Sequence, residues 1–210
     1  MSDRETLIIF TRYPEAGKTK TRTIPALGPE GAAKLQQEMT EHTLKWAKHL
    51  QQKRSVSVQV CFTGSSQQLM AKWLGQDLLY LPQSDGDLGD RMMSAFKSCF
   101  DRGINKVVII GIDCPDLDAS LMSEAFDRLD NNCDLVLGPA EDGGYYLIGL
   151  NGLISELFLG IDWGSSKVLN QTKNIADRLN LKVGYLKLLN DVDRPEDLPI
   201  WQQYNRDIFN

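Results

Sequence analysis

Hydrophobic and polar positions along this chain repeat with two periods, and the two take turns. Residues 7–10 form a short continuous apolar run that passes into polar residues, the pattern of a strand buried on both faces of a parallel sheet. From Pro29 onward, Ala32, Leu35, Met39, Thr43, Trp46 and Leu50 recur at steps of three and four. That spacing predicts an amphipathic helix with Pro29 in its first turn, where a missing N–H costs little. Val56, Val58 and Val60 alternate with Ser57 and Gln59 and predict a second strand, followed by a short helix over 67–74. Asp87, preceded by Tyr80 and Leu81, is placed to cap a helix whose apolar face is Leu88, Met92, Ala95 and Cys99. Residues 107–110 are the clearest strand, ended by Gly111-Ile-Asp-Cys-Pro115.

Further on, Leu121, Met122, Ala125, Phe126 and Leu129 mark a helix, and residues 135–137 and 145–150 read as strands around Asp142-Gly-Gly144. Ser165 or Ser166 is placed to cap a helix carrying Val168, Leu169, Thr172, Ile175, Ala176 and Leu179. A strand over 183–188 and a terminal helix from about Pro195 complete the chain. Alternating strands and helices of this length predict an α/β fold: three layers, α/β/α, around a mostly parallel sheet whose strand ends would hold the ligand. With no repeat, low-complexity tract or linker, one domain over residues 1–210 is expected.

Composition narrows the function. A formal net charge of −5 argues against non-specific binding to nucleic acid, so an anionic ligand must meet a local basic patch. No run approaches the roughly 18 apolar residues of a membrane span, and the amino terminus lacks the features of a signal peptide. Cys61, Cys99, Cys114 and Cys133 show no Cys-x-x-Cys spacing, and only two histidines, His42 and His49, accompany them. Both histidines are expected at the surface, and a reduced, cytoplasmic setting is expected for the chain.

Local charge reverses directly after the first strand. Arg12, Lys18, Lys20 and Arg22, less Glu15, give +3 within eleven residues. Were this segment extended, Lys18, Lys20 and Arg22 would share one side at period two and meet one polyanion together. Gly17-Lys18-Thr19 is suggestive of a P-loop. However, the full pattern requires a glycine where Arg12 stands and an immediate helix where β-branched residues and Pro25 follow, so it stays the lesser alternative.

Asp113, at the tip of the strongest strand, faces the expected crevice and is the first candidate ligand for Mg²⁺ or Mn²⁺, whereas Asp116 and Asp118 read as turn and cap residues. Asp193 has two readings that stay open. With Glu196 and Pro195 it makes a capping box, and it is equally placed to supply a second metal carboxylate. Asp142-Gly143-Gly144 allows close backbone approach to a ligand, with a hairpin turn as the competing explanation. Weaker signals are the helix start at Asp85, Asp87, Asp90 and Arg91, which could approach an anion, and Trp163, which could stack on a ring.

Phe10-Thr-Arg-Tyr-Pro-Glu-Ala-Gly-Lys-Thr-Lys-Thr-Arg22, Gly111-Ile-Asp-Cys-Pro115, Gly138-Pro-Ala-Glu-Asp-Gly-Gly-Tyr145 and Asp193-Arg-Pro-Glu-Asp197 together resemble the glycosyltransferase-like proteins labelled radical-SAM/selenodomain-associated transferases. The resemblance implies the nucleotide-diphospho-sugar transferase (GT-A) fold, shared with 2-phospho-L-lactate guanylyltransferase and molybdenum-cofactor guanylyltransferase. It implies phosphate-facing roles for Arg12, Lys18 and Arg22, and metal ligation by Asp113 with Asp193. Lys18, Arg22 and Asp113 are then the expected catalytic groups, and Arg12, Gly17, Lys20, Asp142, Gly143 and Gly144 the expected nucleotide contacts. Related nucleotidyltransferases open with a glycine-rich loop ending in arginine. Here Pro14, one glycine and extra cations imply a phosphate cradle built from side chains.

The activity so implied is transfer from a nucleotide sugar to an acceptor, with nucleotidyl transfer as the second reading and a nucleotide-sensing protein without turnover as the third. Nucleotide or nucleotide sugar and an acceptor are the expected partners, with neither nucleic acid nor a membrane span involved and a homodimer a possible assembly.

Overall fold

The computed structural model describes residues 5–205. Strands β1 (Glu5–Arg12), β2 (Val56–Thr63), β3 (Leu79–Pro82) and β4 (Lys106–Ile110) run parallel. Beyond β4, strand β6 (Tyr145–Leu150) runs antiparallel to both β4 and β5 (Leu135–Pro139), and β7 (Val183–Tyr185) is parallel to β5. The sheet order is β3-β2-β1-β4-β6-β5-β7. Adjacent residues of the central strands face opposite layers: Leu7, Ile9, Val108 and Ile110 enter one core, Ile8, Val107 and Ile109 the other. The first core is covered by α1 (Ile24–Lys53), α2 (Gln67–Leu74), α4 (Ala119–Asp130) and, through Trp201, α6 (Leu198–Asn205). The second lies under α3 (Leu88–Phe100) and α5 (Val168–Arg178). The expected three-layer α/β/α fold is thus the observed one.

Element boundaries depart from the pattern where backbone conformation overrides periodicity. Helix α1 begins at Ile24 and breaks at Gly28 (φ +70°), so Pro29 occupies the first turn after the break. β3 is a strand that the apolar pattern leaves unassigned. The last strand stops at Tyr185 rather than Leu188, although Leu189 still bridges to Ala140. Neither Ser165 nor Ser166 caps α5, whose N-cap is Lys167 with no side-chain cap; Ser165 Oγ accepts only from the Lys167 N–H. Asp87 does cap α3, reciprocally with Asp90, and Asp118 caps α4 by accepting from the Leu121 N–H at 2.9 Å. His42 and His49 are half-buried rather than exposed: the His42 ring packs against Trp46, Trp201 and Tyr204. No helix of the described residues is long and apolar enough to cross a membrane.

Candidate functional site

At one edge of the sheet the carboxyl ends of β1 and β4 meet the amino end of β6. The chain leaves β1 at Arg12 through a turn in which Gly17 (φ +77°) and Lys20 (φ +45°) both take left-handed backbone, then a 3₁₀ turn, Thr21–Thr23, leads into α1. The segment is not extended, and the shared side expected at period two is lost. Lys18 makes an exposed pair with Glu15 at 2.7 Å. Lys20 turns inward, its side chain 4% exposed, and donates to Asp113 Oδ1 at 2.7 Å and to the Val192 carbonyl. Arg22 pairs with Asp193 Oδ2 at 2.5 Å. Since the Val192 N–H donates to the Asp113 carbonyl at 2.8 Å, one ammonium ties the first turn, the tip of β4 and the 191–193 segment together.

The capping box expected at Asp193 forms differently. Asp197, not Glu196, accepts from the backbone N–H groups of Asp193 and Arg194, at 3.1 and 2.8 Å. The Asp193 carboxylate is thereby free of any capping duty and meets Arg22.

Two cavities open at this edge. The larger, about 410 Å³, is bounded by the end of β1, the end of β4, Gln36 of α1, Gln83 after β3, and Arg91 of α3. The smaller, about 240 Å³, is bounded by Asp142, Gly144, Trp163, Asp191 and Asp193. Asp113 lines both, as do Leu88, Gly111, Tyr145 and Tyr146, so the carboxylate stands on the wall between the lobes.

The β5–β6 hairpin supplies one side of the smaller lobe. Asp142 Oδ1 accepts from the Gly144 N–H at 2.7 Å, as in a turn, while the residue still lines the cavity. Gly143 (φ +87°) makes its close backbone approach to another part of the chain: a Cβ there would overlap the Ser166 carbonyl oxygen, and its own carbonyl accepts from the Leu169 N–H at 2.9 Å. Across the lobe Trp163 meets Tyr145 edge-on, ring centroids 6.4 Å apart. Burial raises the Asp191 carboxyl above its ordinary value, with the neighbouring Asp142, Asp197 and Asp113 adding to the effect. Burial likewise pushes the Cys114 thiol up, with Asp113, Asp191 and Asp142 reinforcing it, so this cysteine stays protonated and unreactive.

Of the residues singled out from sequence, Arg12, Lys20, Arg22, Asp113, Asp142, Gly144 and Asp193 converge on this edge. Lys18 and Gly17 line neither cavity. Gln36, Gln83 and Asp191 are additions, and Arg91 moves from a weak signal to a wall of the larger lobe. A signal for Gln36 did exist: with Thr40 it is polar within the buried helical series Ala32, Gln36, Thr40, Thr43 and Ala47. Asp113 and Asp193 offer oxygen donors only. Among the described residues no group of three or more His, Cys, Asp or Glu is arranged to hold a metal ion. Oxygen donors of this type suit hard divalent cations, and here each carboxylate already has a cationic partner, Lys20 on Asp113 and Arg22 on Asp193.

Comparison with known proteins gives this edge a lineage. Residues 43–165 match the family described as "Uncharacterized protein conserved in bacteria (DUF2064)". The chain belongs to the DUF2064 family. A crystal structure of a candidate nucleotide-diphospho-sugar transferase from Desulfovibrio desulfuricans G20 is 33% identical to this DUF2064 protein. It superposes with a TM-score of 0.85 over 92% of this chain and 84% of that one. Two more distant structures share the fold. 4-Diphosphocytidyl-2C-methyl-D-erythritol synthase from Anaerococcus prevotii is 12% identical, with a TM-score of 0.63 over 97% of this chain and 96% of its own. CMP:2-keto-3-deoxy-manno-octonic acid synthetase, solved with CTP, is 9% identical, with a TM-score of 0.61 over 97% and 99%. No curated protein sequence matches the DUF2064 chain significantly. Fold and family place it in the nucleotide-diphospho-sugar transferase superfamily, as a transferase.

Proposed function

We propose that this protein transfers a sugar from a nucleotide-sugar donor, with the nucleoside in the larger lobe, the diphosphate across Asp113, and sugar and acceptor in the smaller lobe. The observation that carries this reading is the position of Asp113 on the wall common to both cavities. A volume of about 410 Å³ lies within the range of cavities that enclose a small ligand. Arg12 has no carboxylate partner among the described residues, and Arg91 donates only to the Gly86 carbonyl, at 3.0 Å. These two guanidiniums remain for phosphate oxygens, whereas Lys20 and Arg22 are held by carboxylates.

Asp113 and Asp193 would hold Mg²⁺ or Mn²⁺ at the diphosphate. A cation held there would supply neutralisation of the charge that develops on the departing phosphate. The chain's own part is to orient: Lys20 fixes the Asp113 carboxylate, Arg12 and Arg91 grip the diphosphate, and Trp163 with Tyr145 walls the acceptor from water.

Thermal shift with nucleotide sugars and nucleoside triphosphates, each with and without Mn²⁺, tests the reading. Stabilisation by metal with a nucleotide sugar, followed by release of nucleoside diphosphate in the presence of acceptor, is expected. Stabilisation by triphosphates alone, with pyrophosphate released, would replace it with nucleotidyl transfer. That second reading is supported by the shared fold of the CTP-bound synthetase.

A further inference from the structure

Two side-chain amides in the larger lobe are oriented by the backbone behind them. Gln36 is 5% exposed, and its Nε2 donates to Thr11 Oγ1 and to the Arg12 carbonyl, both at 3.1 Å. Turned over, the amide would set its oxygen against the Arg12 carbonyl oxygen, acceptor against acceptor. The surrounding hydroxyls agree with the orientation. Thr40 donates to the main-chain carbonyl of Gln36 at 2.8 Å, which leaves the Thr11 hydroxyl to donate to Thr40 Oγ1 at 2.8 Å and to accept from the Gln36 side-chain amide. Gln83 repeats the arrangement from the other side: its Nε2 donates to the carbonyls of Cys61 at 3.0 Å and Thr11 at 3.4 Å, the chain ends of two neighbouring strands. Its own N–H is held by the Phe62 carbonyl at 2.9 Å.

Both amides therefore have their donors engaged, and both Oε1 atoms have no hydrogen-bond partner among the described residues. Although Gln36 itself is buried, its Oε1 keeps accessible surface and opens onto space. The space beside both residues is the larger lobe. These two oxygens are thus acceptors that the fold leaves open to the lobe, and a ligand that displaces solvent there must supply N–H groups in its place.

We infer that Gln36 and Gln83 select the nucleobase, presenting two fixed acceptors that require an amino-bearing base and reject uracil and thymine. This rests on the placement of the nucleoside in the larger lobe proposed above. Guanine, cytosine and adenine each carry an exocyclic amino group with two N–H donors, and guanine adds a ring N–H beside it. Uracil offers a single N–H between two carbonyl oxygens, which would face Gln36 and Gln83 as acceptor against acceptor. The lobe's arginines do not offset this, since Arg12 and Arg91 serve the phosphates in the same arrangement.

Calorimetric titration of the full chain with GDP, CDP, ADP and UDP, each with Mn²⁺, tests the inference, with 2′-deoxy-GDP as a control. At least one amino-bearing diphosphate is expected to bind about tenfold or more tightly than UDP, the scale of one hydrogen bond mismatched in a pocket. Gln83→Met, which removes the acceptor together with the donor to the Cys61 and Thr11 carbonyls, is expected to narrow that ratio to within about threefold while the protein stays folded with its melting temperature lowered by only a few degrees. Gln36→Met provides the same comparison from the buried side. UDP binding as well as the others overturns base selection and leaves nucleotide binding standing. A loss of affinity confined to the 2′-deoxy control also overturns it, by assigning the oxygens to the ribose. Failure of every diphosphate to bind rejects the nucleotide reading itself.

Discussion

Asp113 differs from the other aspartates near it in what its oxygens have left to do. Oδ1 is taken by Lys20, while the side chain as a whole remains half exposed on the wall between the lobes. Asp118, five residues later, is bound by its duty as the N-cap of α4. Asp113→Asn is therefore expected to weaken metal-dependent nucleotide binding by about tenfold or more, roughly 1.4 kcal/mol. Asp118→Asn should leave binding unchanged, and stability as well, because asparagine caps as well as aspartate. Calorimetry of both variants checks this, and equal, negligible effects would reject the site. Asp113 was legible in the sequence because a strand that ends in a carboxylate has one place to put it. The division of labour among Lys18, Lys20 and Arg22 was not, since it depends on a left-handed conformation at Lys20 that residue type does not announce.

Periodicity located nearly every element that carries the site, but not how those elements join. The alternating core residues of β1 and β4, and the buried face of α1, follow directly from spacing. Caps did not follow so directly: α5 begins at Val168, after an N-cap residue, Lys167, that makes no side-chain cap, and Asp197 does the work that the spacing gives to Glu196. At α5 a tertiary contact takes part, the Leu169 N–H donating to the Gly143 carbonyl, whereas at Asp197 the bonds are local and the cap is shifted by one residue, from Asp193 to Arg194. The β5–β6 hairpin shows the same limit. Asp142-Gly-Gly144 was legible as a turn and as a place of close approach, yet the approaching group is the Ser166 carbonyl, from a segment distant in sequence. Gly143→Ala is expected to destabilise the protein by at least about 2 kcal/mol, combining a left-handed φ with backbone overlap. Because the displaced segment 163–168 forms the far wall of the smaller lobe, acceptor use should fall more than nucleotide binding. Chemical denaturation alongside separate titrations of nucleotide and acceptor would show whether the two effects part in this way.

On the scale of the whole molecule, the site is buttressed from behind by the last helix. α6 lies over α1 and reaches the β4–α4 loop: Tyr204 hydrogen-bonds the Asp116 carboxylate, Trp201 enters the core, and its indole donates to Glu38 at 3.3 Å. His42 sits at the junction, its Nε2 2.9 Å from the Pro115 carbonyl and 3.1 Å from the Trp46 indole N–H. Burial lowers its pKa below the ordinary value, and nearby Lys45 acts in the same direction, against the Pro115 contact and Asp116. The unfolded chain therefore takes up this proton first as the pH falls. His42 costs nothing above its unfolded pKa of about 6.5, and stability is lost from there downward until the folded ring also titrates. The Asp130 carboxyl, held low by Lys106 and Arg54 against the effect of burial, titrates well outside that window. Urea denaturation at pH 7.5 and 5.5 should show the parent losing stability between the two and His42→Gln losing less. Because the histidine contacts the loop that follows Asp113, nucleotide affinity in the parent should decline over the same interval. A parent as stable at pH 5.5 as at pH 7.5 would mean that the ring is protonated at no cost, and that α6 does not depend on its neutral form.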